Sequence, residues 1–289
     1  MLRPRSLLLV MEPEGLHPRA TLVEELHLID RSVRRGPDEP WSEVVSRLQQ
    51  RNRGAERCPV ALIREPGGTR EDQLNQLLAD AYPNTTEVRT FDAGLCRGIA
   101  EARMGVAGKI PDHMHLGFGV AAGGIQVDGR WRSSEHGLDW RACQWWVAPS
   151  LDEGGTLSDW TSRDALQKAA YRMGTASPAP SLRATDDLKH LVAGDPMQRP
   201  LTSEIIDQSA RALAAALGSL INIFDCPDVV LHVHPEELFG TVSAAIEAHL
   251  LRYSFQSLRE GLRWHQPCLG MDSVVIGAAL QWQDKETVQ

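Results

Sequence analysis

Four of the ten histidines in this 289-residue chain form two pairs, His113/His115 and His232/His234. A spacing of two puts both imidazoles of a pair on one face of a β-strand. Two such pairs can hold a metal ion where they meet in space. Isolated core or surface histidines are far commoner, so no metal site is expected. Cys58, Cys96, Cys143, Cys226 and Cys268 are widely spaced, odd in number and lack a C-x-x-C pattern. That usage predicts reduced thiols and neither a disulfide framework nor a zinc knuckle. Five of the eight tryptophans fall between Trp131 and Trp160. Their faces can stack on a flat or sugar-type ligand, or fill a core or an interface. Asp92 stands between an apolar strand and a helix, where an aspartate commonly caps the helix.

The elements that must position these groups follow from periodicity. Leu7–Met11, Arg19–Leu26 and His27–Val33 read as strands, with a Pro/Gly turn at 13–18. A helix is predicted over Glu43–Gln50, a strand over Pro59–Arg64, a helix over 71–81, a strand over 86–91 and a helix over Leu95–Met104. His113–Gly119 and Gly124–Val127 form a hairpin-like pair, and Asp128-Gly129 is a further turn. The segment from Trp131 to Trp160 reads as irregular and 174–180 as a loop. Asp164–Tyr171, Ser203–Phe224, Phe239–Phe255 and Ser273–Gln281 read as helices, and Val229–Val233 as a strand. Strands come first and then alternate with helices, so the class is α/β.

Composition bounds the rest. The 42% apolar content supports a sizeable core and excludes a disordered chain. A net charge of −8 argues against a dedicated nucleic-acid binder. No apolar run is long enough to span a membrane. The apolar run near the N-terminus is shorter than a signal-peptide core, so a cytoplasmic protein is expected.

Several segments together resemble the ROK family of repressors, open reading frames and sugar kinases. They are Gly124-Ile125-Gln126-Val127-Asp128-Gly129-Arg130 followed by Glu135-His136-Gly137, then Val60–Gly67, Gly194-Asp195-Pro196, Ala214–Asp225 with Cys226-Pro227 and Val229–Leu231, and Gly277-Ala278-Ala279-Leu280. The resemblance covers nearly the whole chain. It implies the two-lobed actin-like ATPase and sugar-kinase (ribonuclease H-like) α/β fold. Residues 1–110 would form a small lobe, 111–270 a large lobe, and the helix within 271–289 would return to the small lobe. The cleft between lobes is the default ligand site. No room is left before the first strand for the helix-turn-helix that family repressors carry.

The same resemblance allows the family chemistry to be tested residue by residue. The family base is the Asp of an Asn-Asp pair between a strand and a helix. A gapless count back from Glu101 puts Asp92 on the Asn, and a one-residue insertion puts it on the Asp. The first phosphate turn reads Met11-Glu12-Pro13-Glu14-Gly15-Leu16-His17-Pro18. Its prolines have no N–H for a phosphate, and Glu12 and Glu14 repel one. In the second turn, Gly117 to Gly124, Phe118 and Val120 fall on glycine positions. A Cβ there restricts φ and the approach of a ligand to the backbone. The family Glu that holds sugar hydroxyls becomes Arg141, and the His that touches sugar and zinc becomes Gln144. The Cys-rich loop is absent, and Gly155-Thr156-Leu157-Ser158 stands where Gly-Cys-Leu-Glu would be. A structural zinc needs four N or S ligands and this stretch offers only Cys143, so zinc is not expected. The late strand runs into His232, His234 and Pro235 where the family has a Gly-Gly turn for the nucleotide. ATP and magnesium are therefore not expected as cofactors.

These substitutions lead to a degenerate ROK-like protein, a pseudo-sugar-kinase that binds a small ligand or regulates a partner. Asp92, His136, Arg141, Gln144 and Ser158 are its candidate ligand-binding residues, with Trp140, Trp145, Trp146 and Trp160 around the cleft. An arginine at position 141 would suit a carboxylate or phosphate, hence an acidic sugar or sugar phosphate. Two alternatives stay open. One is an active enzyme using Asp92, His136 and Arg141, with Asp92 as the catalytic base. The other is a structural subunit paired with an intact paralogue. A homodimer is expected, with no membrane or direct nucleic-acid partner.

Overall fold

The structure is a computed structural model that describes residues 7–12, 19–24, 26–33, 39–52, 58–64, 76, 79, 87–132, 146–148, 154–172 and 199–287. The chain divides into two compact units, Met1–Ala100 with Met271–Gln289, and Glu101–Gly270.

The first unit is built on β1 (Leu7–Glu12), β2 (Arg19–Glu24), β3 (His27–Val33), β4 (Val60–Arg64) and β5 (Val88–Asp92), ordered β3-β2-β1-β4-β5. β1, β2 and β3 are antiparallel, and β4 and β5 add in parallel. Period-two alternation sends Leu9, Met11, Leu22, Val60 and Leu62 to one face. There they meet Trp41, Val44, Val45 and Leu48 of α1 (Trp41–Arg51). Leu8, Val10, Val23, Ala61 and Ile63 face the other way. They pack with Ala93 and Cys96 at the start of α2 (Ala93–Met104) and with Val274, Val275 and Ala278 from the C-terminal helix Ser273–Thr287. Both faces are apolar because both are covered by helices.

The second unit carries β6 (His113–Phe118), β7 (Gly123–Val127), β8 (Arg130–Trp131), β11 (Asp228–Val233) and β12 (Arg263–His265), ordered β12-β11-β6-β7-β8. β9 (Trp146–Val147) and β10 (Gly155–Thr156) make a separate antiparallel ladder. The helices are α3 (Ser158–Thr161), α4 (Arg163–Arg172), α5 (Arg199–Phe224), α6 (Phe239–Leu250) and α7 (Gln256–Glu260), followed beyond the unit by α8 (Ser273–Thr287). Met114, Leu116, Phe118, Ile125, Val229, Leu231 and Val233 form one sheet face, packed with α4, α5 and α6. Glu101 is fully buried, and its carboxylate accepts the amides of Val106 at 3.0 Å, Cys268 at 3.1 Å and Leu269 at 2.9 Å.

The expected α/β class is the one observed. Several boundaries differ. The helix expected over Phe239–Phe255 stops at Leu250. Asn222 holds the next turn back against α5, donating to the Tyr253 carbonyl at 2.9 Å and accepting the Phe255 amide at 3.4 Å. The irregular stretch before Trp160 contains β9 and β10. The helix expected over 71–81 lies outside the described residues except at positions 76 and 79, and the loop 174–180 lies wholly outside them. Among the described residues no helix is long and apolar enough to cross a membrane.

Candidate functional site

β5 ends at Asp92, in register with Arg64 of β4, and α2 begins at the next residue. Leu95, the third residue of α2, donates its amide to Asp92 Oδ1 at 3.1 Å. Asp92 thus caps the helix, satisfying an amide that has no intrahelical partner. It is half-buried at the strand-to-helix junction.

The glycine turn between β6 and β7 is already engaged by its own chain. Phe118 is buried in the apolar core. Gly119 adopts φ 71° and donates its amide to the Thr161 carbonyl at 2.8 Å. His234 donates its amide to the Phe118 carbonyl at 2.9 Å. A Cβ at Gly117 would lie 2.2 Å from the Val120 carbonyl oxygen, so the turn folds tightly over that glycine.

The proline-containing turn, residues 13–18, lies outside the described residues, but its base is defined. Glu12 and Arg19 face each other across the β1–β2 ladder and form a buried ion pair. Burial pushes the Glu12 carboxyl above its usual range, against the opposing pull of Arg19. Arg19 also donates to the Met271 carbonyl at 2.7 Å and to Asp272 at 3.2 Å. The cation beside this turn is therefore committed to carboxylates of its own unit.

Ser158 opens α3 and is half-buried. Its turn is fixed by Asp159, which accepts the Thr156 amide at 2.8 Å and the Thr156 hydroxyl at 2.7 Å. Trp160 packs on the core of the unit, and its indole N–H is buried without a hydrogen-bond partner. His136, Arg141 and Gln144 lie outside the described residues, as do Trp140, Cys143 and Trp145. Of Trp146 only the backbone, in β9, is described.

Three of the four paired histidines meet. β6 and β11 are parallel neighbours, and His115 Nδ1 lies 3.1 Å from His232 Nε2. The His113 and His115 ring centroids are 5.0 Å apart, and Trp131 lies 5.5 Å from His115. Asp228 and His265 share this polar face, with His265 Nε2 at 2.7 Å from Asp228 Oδ1. Sequence reading missed Asp228 and His265 here. The alternation Asp228-x-Val230-x-His232 was the available signal. Among the described residues no three His, Cys, Asp or Glu are placed to hold a metal ion. Cys58, Cys96 and Cys226 are buried thiols, and Cys268 is exposed.

Compared by sequence, the chain matches no family model and no curated protein. Compared by structure, it matches a ROK family glucokinase from Streptomyces griseus in complex with glucose and AMPPNP. That match has a TM-score of 0.65 and 16% identity, covering 96% of this chain and 99% of the other. A ROK hexokinase from Thermus thermophilus matches at TM-score 0.57 and 20% identity, covering 96% and 98%. A ROK family transcriptional regulator, a homologue of the E. coli MLC protein, matches at TM-score 0.63 and 17% identity, covering 96% of this chain and 77% of that one. The chain has the fold of the ROK sugar kinases and regulators.

Proposed function

We propose that this chain is a ROK-type protein that binds a small sugar-type ligand, a sugar or an acidic sugar derivative, and acts by binding and not by phosphoryl transfer. The observation that carries this reading is the Gly119 amide bonded to the Thr161 carbonyl, beside a core-buried Phe118. A phosphate turn works by presenting free backbone amides. This turn gives one of them to its own chain. Pro13 and Pro18 remove two further amides from the first turn, and Glu14 adds negative charge there. The sugar class is supported by the fold and by the glucose in the Streptomyces griseus glucokinase complex. Arg141 in place of a sugar-holding glutamate favours an acidic ligand. His136, Gln144 and Ser158 complete the proposed set, and the protein acts as a homodimer.

A second reading is favoured by one observation, the place of Asp92 at the strand-to-helix junction. There it would be the base of an active sugar kinase.

Calorimetry with Mg-ATP, beside a thermal-shift panel of sugars, acidic sugars and sugar phosphates, separates the two. The expected result is no ATP binding and a shift with an acidic sugar that Arg141→Ala removes. Micromolar ATP binding overturns the proposal and favours the kinase. Silence in both assays overturns it in favour of a structural subunit.

A further inference from the structure

The second unit's sheet has two unlike faces. One is apolar and packed with helices. The other carries Asp228, Val230 and His232 of β11, His113 and His115 of β6, His265 of β12 and Trp131 of β8, by strand alternation and register. The three clustered histidines are nevertheless buried, at 0% exposure for His113, 1% for His115 and 5% for His232.

Their hydrogen bonds fix where protons sit. His113 Nδ1 lies 2.8 Å from the Ile110 carbonyl, which can only accept, so Nδ1 carries the hydrogen and Nε2 is bare. The contact between His115 Nδ1 and His232 Nε2 is a hydrogen bond only while one nitrogen is protonated and the other is not. Putting a hydrogen on both sets N–H against N–H. The Nε2 atoms of His113 and His115 are buried with no hydrogen-bond partner. A proton arriving at either finds no acceptor.

We propose that the seam between β6 and β11 is an acid-sensitive latch, closed while the histidines are neutral and opened when His115 takes a second proton. Among the described residues, His232 and His113 act electrostatically on His115, and no carboxylate does. His113 is faced by Asp228 of β11, His265 of β12 and Asp112 just before β6. Trp131 is neutral. The latch is independent of the ligand-binding reading.

The direction follows from linkage. Burial holds His115 well below the ordinary imidazole value and His113 below it too. The open state then binds more protons than the closed one below about pH 6.5. Closure is independent of pH above that value. Below it, each ring costs the closed state up to about tenfold per pH unit.

The test is hydrogen exchange of the full chain between pH 8 and 5, corrected for intrinsic chemistry. Peptides over 113–118 and 228–233 are read against 41–51 as an internal reference. In the wild type, relative exchange of the two strands is expected to stay flat to about pH 6.5 and then rise by more than tenfold toward pH 5. His115→Phe keeps a ring without a titrating nitrogen, and His115→Asn keeps an amide in the place of Nδ1. Both are expected to lose about tenfold of that rise. A flat wild-type profile overturns the latch, and so does an unchanged rise in either variant. If neither variant folds at pH 8, the wild-type profile decides.

Discussion

Gly277 of the C-terminal helix sits directly against the Cys96 carbonyl of α2, so that a Cβ on Gly277 would lie 1.9 Å from that oxygen. Gln281, one turn further on, donates to Cys96 Sγ at 3.1 Å. The obstacle is backbone, which cannot swing aside. Gly277→Ala is expected to destabilise the first unit by about 1–3 kcal/mol or more, although alanine is the better helix former. Gly240 in α6 has open space around it, so Gly240→Ala is expected to be neutral or to stabilise by up to about 1 kcal/mol. Urea denaturation of both variants checks the contrast, and equal midpoints would contradict the helix contact.

Asp92 is a cap by geometry. Asp92→Ala is expected to cost about 1 kcal/mol, and Asp92→Ser to recover most of it, because serine also accepts the Leu95 amide. Thermal melts of the two variants measure this. A stability unchanged in Asp92→Ala would show that the hydrogen bond contributes nothing, and would shift weight to the catalytic reading.

Asp228 is the charged centre of the β11–β12 edge. Its carboxylate accepts Arg263 Nε at 2.8 Å and His265 Nε2 at 2.7 Å. Burial alone would raise its pKa, but the hydrogen bonds from Arg263 and His265 outweigh burial and hold it below the ordinary value. The folded state therefore gains stability from ionised Asp228 that is fully present above about pH 4 and lost as pH falls further. Arg263 is largely exposed, so solvent screens its part of the pair. Asp228→Asn is expected to be less stable than wild type at pH 7 and to lose less between pH 5 and pH 3. Urea midpoints at the three pH values decide it, and parallel losses would refute the shift.

Elements with strong local patterning were legible in the sequence. His27–Val33 alternates and ends at turn residues, and its strand has the expected bounds. Ser203–Phe224 carries a full helical stripe, and its helix begins only four residues earlier, at Arg199. Elements that depend on a partner were not legible. Arg263–His265 is a strand because it pairs with Asp228–Val230, and its three residues carry no apolar alternation. The overrun from Leu250 to Phe255 has the same origin. Leu251 and Phe255 keep a helical apolar spacing yet are exposed, and the side chain of Asn222, far away in sequence, bends the chain there.

The candidate site divides along the same line. The strand-to-helix place of Asp92 and the loss of amides at Pro13 and Pro18 are properties of residue type and local order, which the sequence determined by itself. The ROK-type fold was also legible, because the order and spacing of several weak motifs span the chain. Only the tertiary structure decided that Gly119 gives its amide to Thr161 and that His115 bonds His232, 117 positions away in the chain. Periodicity fixes which face of a strand a side chain takes, since that depends on neighbouring residues alone. Which strands become neighbours is set by burial of the whole apolar face, and that choice joins residues no local pattern connects.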